Sequence, residues 1–358
     1  MARSKQKTLI LSLARRNSQP LYALNIARKL PEGSFDLMTS KQSTYSCGMF
    51  KNCFSIHTYT NTWSFFFSSI FLLPLQFLML LPQLIRNYDR LYLPYGHFWD
   101  LPFILLFKML HKPVIYTVHD GILHHGERRR LVQYLENFRI KRADHLIFLT
   151  HFVEQQIKTQ LNSSVPTSVI PHGALTAHFN FPPKLKTDET RILFLGRISK
   201  YKGVELLLEA FEELQLPNTR LIIAGEPIYP FKAKELKAVD YHLEYLSEAK
   251  ITALLQNADI LVLPYLEATQ SGVVSLGISA GLPMICTRVG GLPEQLKEEE
   301  CIWVSPNKKE LKEALITLVT EPELRAKLRE KMRFKNQDLS KNQLAELKQL
   351  ILGRTTAS

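Results

Sequence analysis

Short apolar runs alternate with longer stretches of helical periodicity through most of the chain. In the first half, residues 8–13 read as a buried first strand, 15–20 as a polar turn and 21–30 as a helix. Further strand-like runs lie at 91–93, 114–118, 143–149 and 168–170. The second half repeats the pattern more cleanly: strands at 191–195, 220–224, 259–263 and 284–287 flank helices at 204–214, 248–256 and 273–280. Such alternation predicts α/β architecture, parallel sheets with helices on both faces. The Pro-Pro break at 181–186 predicts a linker, hence two doubly wound Rossmann-like domains, 1–180 and 181–339, with a C-terminal helix and tail at 340–358. In such folds ligands bind beyond the carboxyl ends of the strands, here in the cleft between the domains.

One stretch breaks the pattern. Between Lys51 and Arg86 there is no Asp, Glu, Lys or Arg, and residues 63–85 are long enough to span a bilayer. Thr62, Ser69, Gln76 and Gln83 recur every seven positions, a narrow polar stripe on an otherwise apolar helix. A spanning helix would put strands 8–13 and 91–93 on opposite sides of the membrane although both belong to one sheet, and Pro74 and Pro82 would kink it. Two readings stay open, a core helix and a helix dipping into the membrane interface.

The chain's 358 residues are too many for one ordinary domain, and 46% apolar with 22% charged residues excludes long-range disorder. Its net charge of +12 is uneven: residues 1–175 hold 20 basic and 9 acidic side chains, residues 176–358 hold 25 and 24. The basic half can attract anionic lipid or a phosphorylated substrate, while no zinc-finger spacing, RNP-like motif or basic heptad region supports nucleic acid. The first apolar run is too short for a signal-peptide core. Cys47, Cys53, Cys286 and Cys301 contain no C-x-x-C pair and cannot build a dense disulfide framework, so a reducing, cytoplasmic compartment and no zinc site are expected.

The strongest chemical signal runs from Phe194 to Gly203: a strand enters Gly196, then come Arg197 and Lys202, then Gly203 at a helix start. Glycines admit close backbone approach and two cations offset charge, a combination suited to a diphosphate. A second signal follows the strand at 259–263, where Glu267, Ala268, Thr269, Gln270, Ser271, Gly272 and Val273 form a polar loop opening a helix whose N–H groups would face an anion. Neither a Walker A loop nor G-x-G-x-x-G occurs.

Together with V-I-P-H-G at 169–173, A-D-x-x-x-x-P at 258–264, and the G-L-P and G-G-L-P-E pieces at 281–283 and 290–294, these stretches resemble the retaining GT-B glycosyltransferases of family 4, the glycosyl transferases group 1, in their bacterial polysaccharide-building form. The first half resembles them more thinly, through His119-Asp120 and His124-His125-Gly126-Glu127, and the glycine-rich loop many members carry after the first strand is missing. The resemblance implies a nucleotide-sugar donor held by the second domain, an acceptor (sugar, lipid-linked sugar or surface polysaccharide) held by the first, and a C-terminal helix returning to the first domain. It makes Arg197 and Lys202 the pair stabilising the diphosphate leaving group and His119 a wall of the sugar site. Gly196, Glu267, Thr269, Gln270, Ser271, Gly272, Val273 and Glu294 fall on the donor side, with Asp120 and His172 as further candidates. Neither metal nor cofactor is implied, and no D-x-D occurs to hold a metal. The two glutamates eight apart that many members carry are replaced by Ala268 and Leu276; Glu267 is one residue early and could substitute for the first. Attachment to the inner face of the membrane follows from the basic half and the uncharged stretch. An epimerase on the same fold and a non-catalytic partner protein are the alternatives.

Overall fold

The computed structural model describes all residues except 1–6, 17, 45–47, 49, 120–129, 162–163, 174–187, 215, 343 and 354–358. Asp120, the 124–127 segment and the break at 181–186 lie outside the described residues. The first sheet holds β1 (Thr8–Ser12), β2 (Phe35–Ser40), β3 (Cys53–Ile56), β4 (Arg90–Leu93), β5 (Val114–Val118), β6 (His145–Phe148) and β7 (Thr167–Val169) in the order β3-β2-β1-β4-β5-β6-β7. The second holds β8 (Thr190–Leu195), β9 (Thr219–Ala224), β10 (Val239–His242), β11 (Ile260–Leu263), β12 (Met284–Thr287) and β13 (Ile302–Val304) in the order β10-β9-β8-β11-β12-β13. Neighbouring strands pair in parallel throughout, as in Leu9↔Leu91 and Leu261↔Met284. Buried on both faces, the central strands are continuous apolar runs.

Strand order reverses between β1 and β4 in the first sheet and between β8 and β11 in the second, and crevices open at such points. The two chemical motifs are the loops that follow β8 and β11. Chain order alone thus brings them side by side.

Four strands go beyond the sequence reading, and their polar content explains why. β3 is one edge of the first sheet and β10 and β13 are the two edges of the second, all partly exposed, whereas β2 is wholly buried yet contains Asp36, Thr39 and Ser40. Asp36 is accommodated by Lys7 at 2.8 Å and the Tyr88 hydroxyl at 2.7 Å. The first helix, Ser18–Lys29, starts inside the expected turn because Pro20 sits in its first turn, where a missing N–H costs nothing. Cys53 is disulfide-bonded, whereas Cys286 and Cys301 are free and buried.

The end of the chain ties the domains together. Leu328 and Met332 of the Pro322–Asn342 helix pack in the second core; Leu347, Ile351 and Leu352 of the Leu344–Leu352 helix pack beside Ile10 and Tyr22 in the first. The Thr8 hydroxyl donates to the Ile351 carbonyl at 2.6 Å. The C-terminal helix thus returns to the first domain.

Candidate active site

Gly203, at φ 66°, ends the short 3-10 turn Lys200–Lys202 and starts the helix Val204–Glu212. A Cβ there would lie 1.9 Å from the Pro264 carbonyl oxygen, so only glycine lets the two motif loops close on each other. Lys202 is aimed across that junction: its ammonium donates to the Tyr265 hydroxyl at 2.9 Å and lies 4.1 Å from the Tyr265 ring centre. Burial pushes the Tyr265 phenol well up, which keeps its proton in place. Its oxygen is 3.2 Å from Ser271 Oγ. Ser271 in turn caps the helix Gly272–Ala280, accepting from the Val273 N–H at 3.2 Å, while its backbone is gripped by Gln295 at 2.7 and 3.2 Å. One chain of contacts therefore links Lys202 to a helix N-terminus, and both favour an anion in front of them.

Arg197 is exposed on the same loop, next to Gly196. Thr269 is buried and spends its carbonyl on the Thr150 hydroxyl at 3.1 Å, a bridge between domains. Gly291 approaches so closely there that a Cβ would stand 2.1 Å from the Thr269 oxygen. Gln270 Oε1 is buried without a hydrogen-bond partner, an acceptor facing the loop. Glu267 is half-buried. Glu294 reaches into the first domain, where its carboxylate accepts from the N–H groups of His151 at 2.5 Å and Phe152 at 2.7 Å and so caps the helix His151–Leu161.

His119 stands at the carboxyl end of β5. Its Nε2 lies 2.8 Å from the Pro94 carbonyl, which can only accept, so the proton sits on Nε2. Tyr22 stands between His119 and His172, with ring centres 4.9 and 5.0 Å away. His172 Nδ1 meets Ser275 Oγ of the second domain at 3.1 Å, and burial, then the neighbouring His119, lower its pKa to about 4. Both histidines thus meet at the seam between the sheets.

Sequence reasoning missed the cavity beside His119. It measures about 160 Å³ and is lined among others by Gln19, Tyr95, His97, Tyr116 and Glu136. Below it Arg139 is buried between Asp100 at 2.6 Å and Glu136 at 3.2 Å, and the Tyr116 hydroxyl donates to Glu136 at 2.5 Å. Burial opposes the Arg139 charge, but the two carboxylates hold its pKa above the usual value. Aromatic faces beside fixed polar groups suit a sugar ring. These residues are scattered from 19 to 139, and no spacing in the chain announces them. Tyr265 was visible, directly after the A-D-x-x-x-x-P strand, but nothing in the sequence shows that it receives Lys202.

Two family models agree with this geometry. The one described as Glycosyl transferases group 1 matches residues 177–334, and Glycosyltransferase Family 4 matches residues 21–178. The chain belongs to the group 1, family 4 glycosyltransferases. Its two parallel sheets are the GT-B fold: it superposes on Anabaena HepE in complex with UDP and glucose with a TM-score of 0.71 at 14% identity, over 97% of this chain and 98% of that one. An uncharacterized glycosyltransferase of Methanocaldococcus jannaschii is 33% identical over 133 residues, 34% of this chain and 33% of that protein. The GDP-mannose:glycolipid 4-beta-D-mannosyltransferase of Xanthomonas campestris is 28% identical over 138 residues, 35% of this chain and 40% of that protein. The matched stretches thus span less than half of either relative.

Proposed function

We propose that the protein is a retaining glycosyltransferase that moves a sugar from a nucleotide-sugar donor to a lipid-linked or surface-polysaccharide acceptor, at the cytoplasmic face of a membrane and without a metal. The observation that carries this is the Lys202–Tyr265–Ser271 chain at the strand reversal, which aims a cation and a helix N-terminus at one point. Breaking the anomeric bond builds negative charge on the departing phosphate; fixed positive groups stabilise that state more than the ground state. Lys202, Arg197 and the turn Gln270, Ser271, Gly272 and Val273 supply them, with Gly196 keeping the backbone low beneath the diphosphate. The unpaired Gln270 oxygen offers a donor hydroxyl an acceptor. His119 bounds the sugar site from the first domain, and the 160 Å³ cavity beside it takes the acceptor. A glycolipid-acting relative and a UDP-bound structural neighbour support the acceptor and donor classes, while their different nucleotides leave the base open. Glu294 holds the domains in register through the His151 and Phe152 N–H groups, while its neighbours face the donor.

A panel of nucleotide sugars tests the reading through nucleoside-diphosphate release. Slow release with one donor, accelerated by an acceptor, is expected; release of an epimer without an acceptor would favour the epimerase alternative, and no turnover with any donor would favour the non-catalytic one. With two side-chain cations supplying the charge, the rate in excess chelator should equal the rate with magnesium. A loss that magnesium restores would overturn the metal-free reading.

A further inference from the structure

The Thr62–Asn87 helix packs Phe65, Leu73, Phe77, Leu80 and Leu84 on the first core yet is apolar on its outer face as well. It is long and apolar enough to cross a membrane, with a mean hydropathy of 2.0, yet only 6% of that apolar window is buried. Its polar stripe points inward: Ser69 Oγ accepts from the Trp99 indole at 2.9 Å, Gln76 pairs with both backbone groups of His57 at 2.9 Å, and Gln83 donates to the Tyr88 hydroxyl at 3.1 Å. The outward face carries Trp63, Phe67, Ile70, Phe71, Leu78 and Met79, with Trp63 85% and Met79 73% exposed. Exposed positions recur as i, i+3 and i+4 along the whole length, so they form one strip about 39 Å long. The core-helix reading fails on these exposures. A patch of this size on a water-facing surface implies a partner.

We infer that this strip lies in the plane of an anionic bilayer, its side chains within the acyl boundary and the domain above it. Spanning is excluded by the ends of the helix, because β3 before it and β4 after it are strands of one sheet. Pulling the helix through would also strip Ser69, Gln76 and Gln83 of their partners. Charge complements the lipid at both ends. At the start Arg15 donates to the Thr60 carbonyl at 2.9 Å and stacks on Tyr59; at the finish are exposed Arg86 and half-buried Lys112, the latter bonded to the Ile85 and Tyr88 carbonyls and partly offset by Asp89. No carboxylate lies between residues 51 and 86. Long basic side chains at such positions reach headgroups while apolar neighbours sink.

The same geometry names the acceptor class. From Phe66 a path of touching rings runs inward through Phe65 to Phe98, and from Phe65 through Tyr59 to His97, and His97 and Phe98 line the cavity beside His119. A sugar in that cavity whose lipid tail stays in the membrane needs no extraction. This last step rests on the transferase reading of the cavity; the docking strip does not.

Co-sedimentation with vesicles of phosphatidylcholine alone, and of phosphatidylcholine with phosphatidylglycerol in equal parts, tests the strip. Binding to the mixed vesicles is expected, weakened by salt. A Phe67→Ser, Phe71→Ser, Met79→Gln variant should lose at least about tenfold in vesicle partitioning, because each change removes apolar area from the membrane contact. Its circular dichroism and its nucleoside-diphosphate release in lipid-free buffer should stay unchanged. Independently, vesicles should shift Trp63 emission to the blue, a shift missing in Trp63→Phe. The docking inference is overturned by undiminished binding of the triple variant, by equal binding to both vesicle types, by resistance to alkaline extraction as for a spanning helix, or by a lipid-free dimer that buries Trp63. If vesicle binding behaves as expected while no nucleotide sugar is turned over, the docking strip stands and the transferase reading falls.

Discussion

The helices Val204–Glu212 and Thr62–Asn87 obey opposite rules. The first buries Val204, Leu207, Leu208 and Phe211 and turns its glutamates to water; the second turns Ser69, Gln76 and Gln83 toward the domain and exposes Phe66, Phe67 and Phe71. The contrast extends to their domains. The second half of the chain is nearly neutral and turns its helices' charged faces outward, whereas the first is strongly basic and wears an apolar strip. A domain whose helices bury one apolar face can be read from periodicity; a domain whose helix shows apolar side chains to both core and solvent cannot, because periodicity does not say which face is inside.

That difference predicts where acid acts. Burial, then the Arg139 and Arg15 charges, push the His97 pKa down to about 3, and His172 stands at about 4; both lie in the first domain. The unfolded chain takes up these protons near pH 6.5, the folded chain only below its depressed values. Stability is therefore full above pH 6.5 and falls as the pH drops from there toward about 4, by something on the order of 3 kcal/mol per histidine. Urea midpoints measured from pH 7 to 4.5, above most carboxylate titration, should decline, and His172→Gln should flatten part of that slope. An unchanged slope would remove His172 from the account.

The next effect belongs to the second domain. Arg197→Ala and Lys202→Ala should each lower turnover at least about 100-fold, the scale of losing one electrostatic stabiliser, with melting temperature nearly unchanged because both sit on a loop. Wild-type turnover by either variant would make the leaving-group assignment wrong. Lys202 carries the sharper version, since Tyr265→Phe keeps the ring beneath the ammonium and removes only the hydroxyl at 2.9 Å. It should cost less than Lys202→Ala.

Legibility followed chemistry as much as pattern. Strands β8, β9, β11 and β12 were found because each is an unbroken apolar run ending in a recognisable loop. β2 was not, because Asp36 interrupts its pattern and only Lys7 and Tyr88, 29 and 52 positions away, make its burial tolerable. Arg197 and Lys202 announce themselves by spacing; His97 and Asp100 are brought to Glu136 and Arg139, neighbours on one helix, by folding alone. The helix Thr62–Asn87 was recognised as anomalous, yet its direction was settled only by the partners of Ser69, Gln76 and Gln83.

The smallest effect concerns Glu267, where the sequence left two positions competing for one role. Ala268 is buried, its carbonyl accepts from the Gly291 N–H at 3.0 Å, and a Cβ on Gly290 would stand 1.7 Å from that oxygen. Its backbone is therefore fixed by packing against Gly290 and Gly291. Glu267 is half-buried beside it, with its backbone N–H 3.5 Å from the Tyr201 carbonyl on the Lys202 loop. A carboxylate there can accept from donor hydroxyls, and Glu267→Gln keeps its size while weakening that acceptance. One hydrogen bond of about 1 kcal/mol corresponds to a rise of about fivefold in donor KM. Steady-state kinetics of Glu267→Gln, Thr269→Ala and Gln270→Ala against one donor decides between the positions. A silent Glu267 variant beside impaired Thr269 and Gln270 variants would assign the donor contact to the later residues, and silence in all three would remove the loop from donor binding.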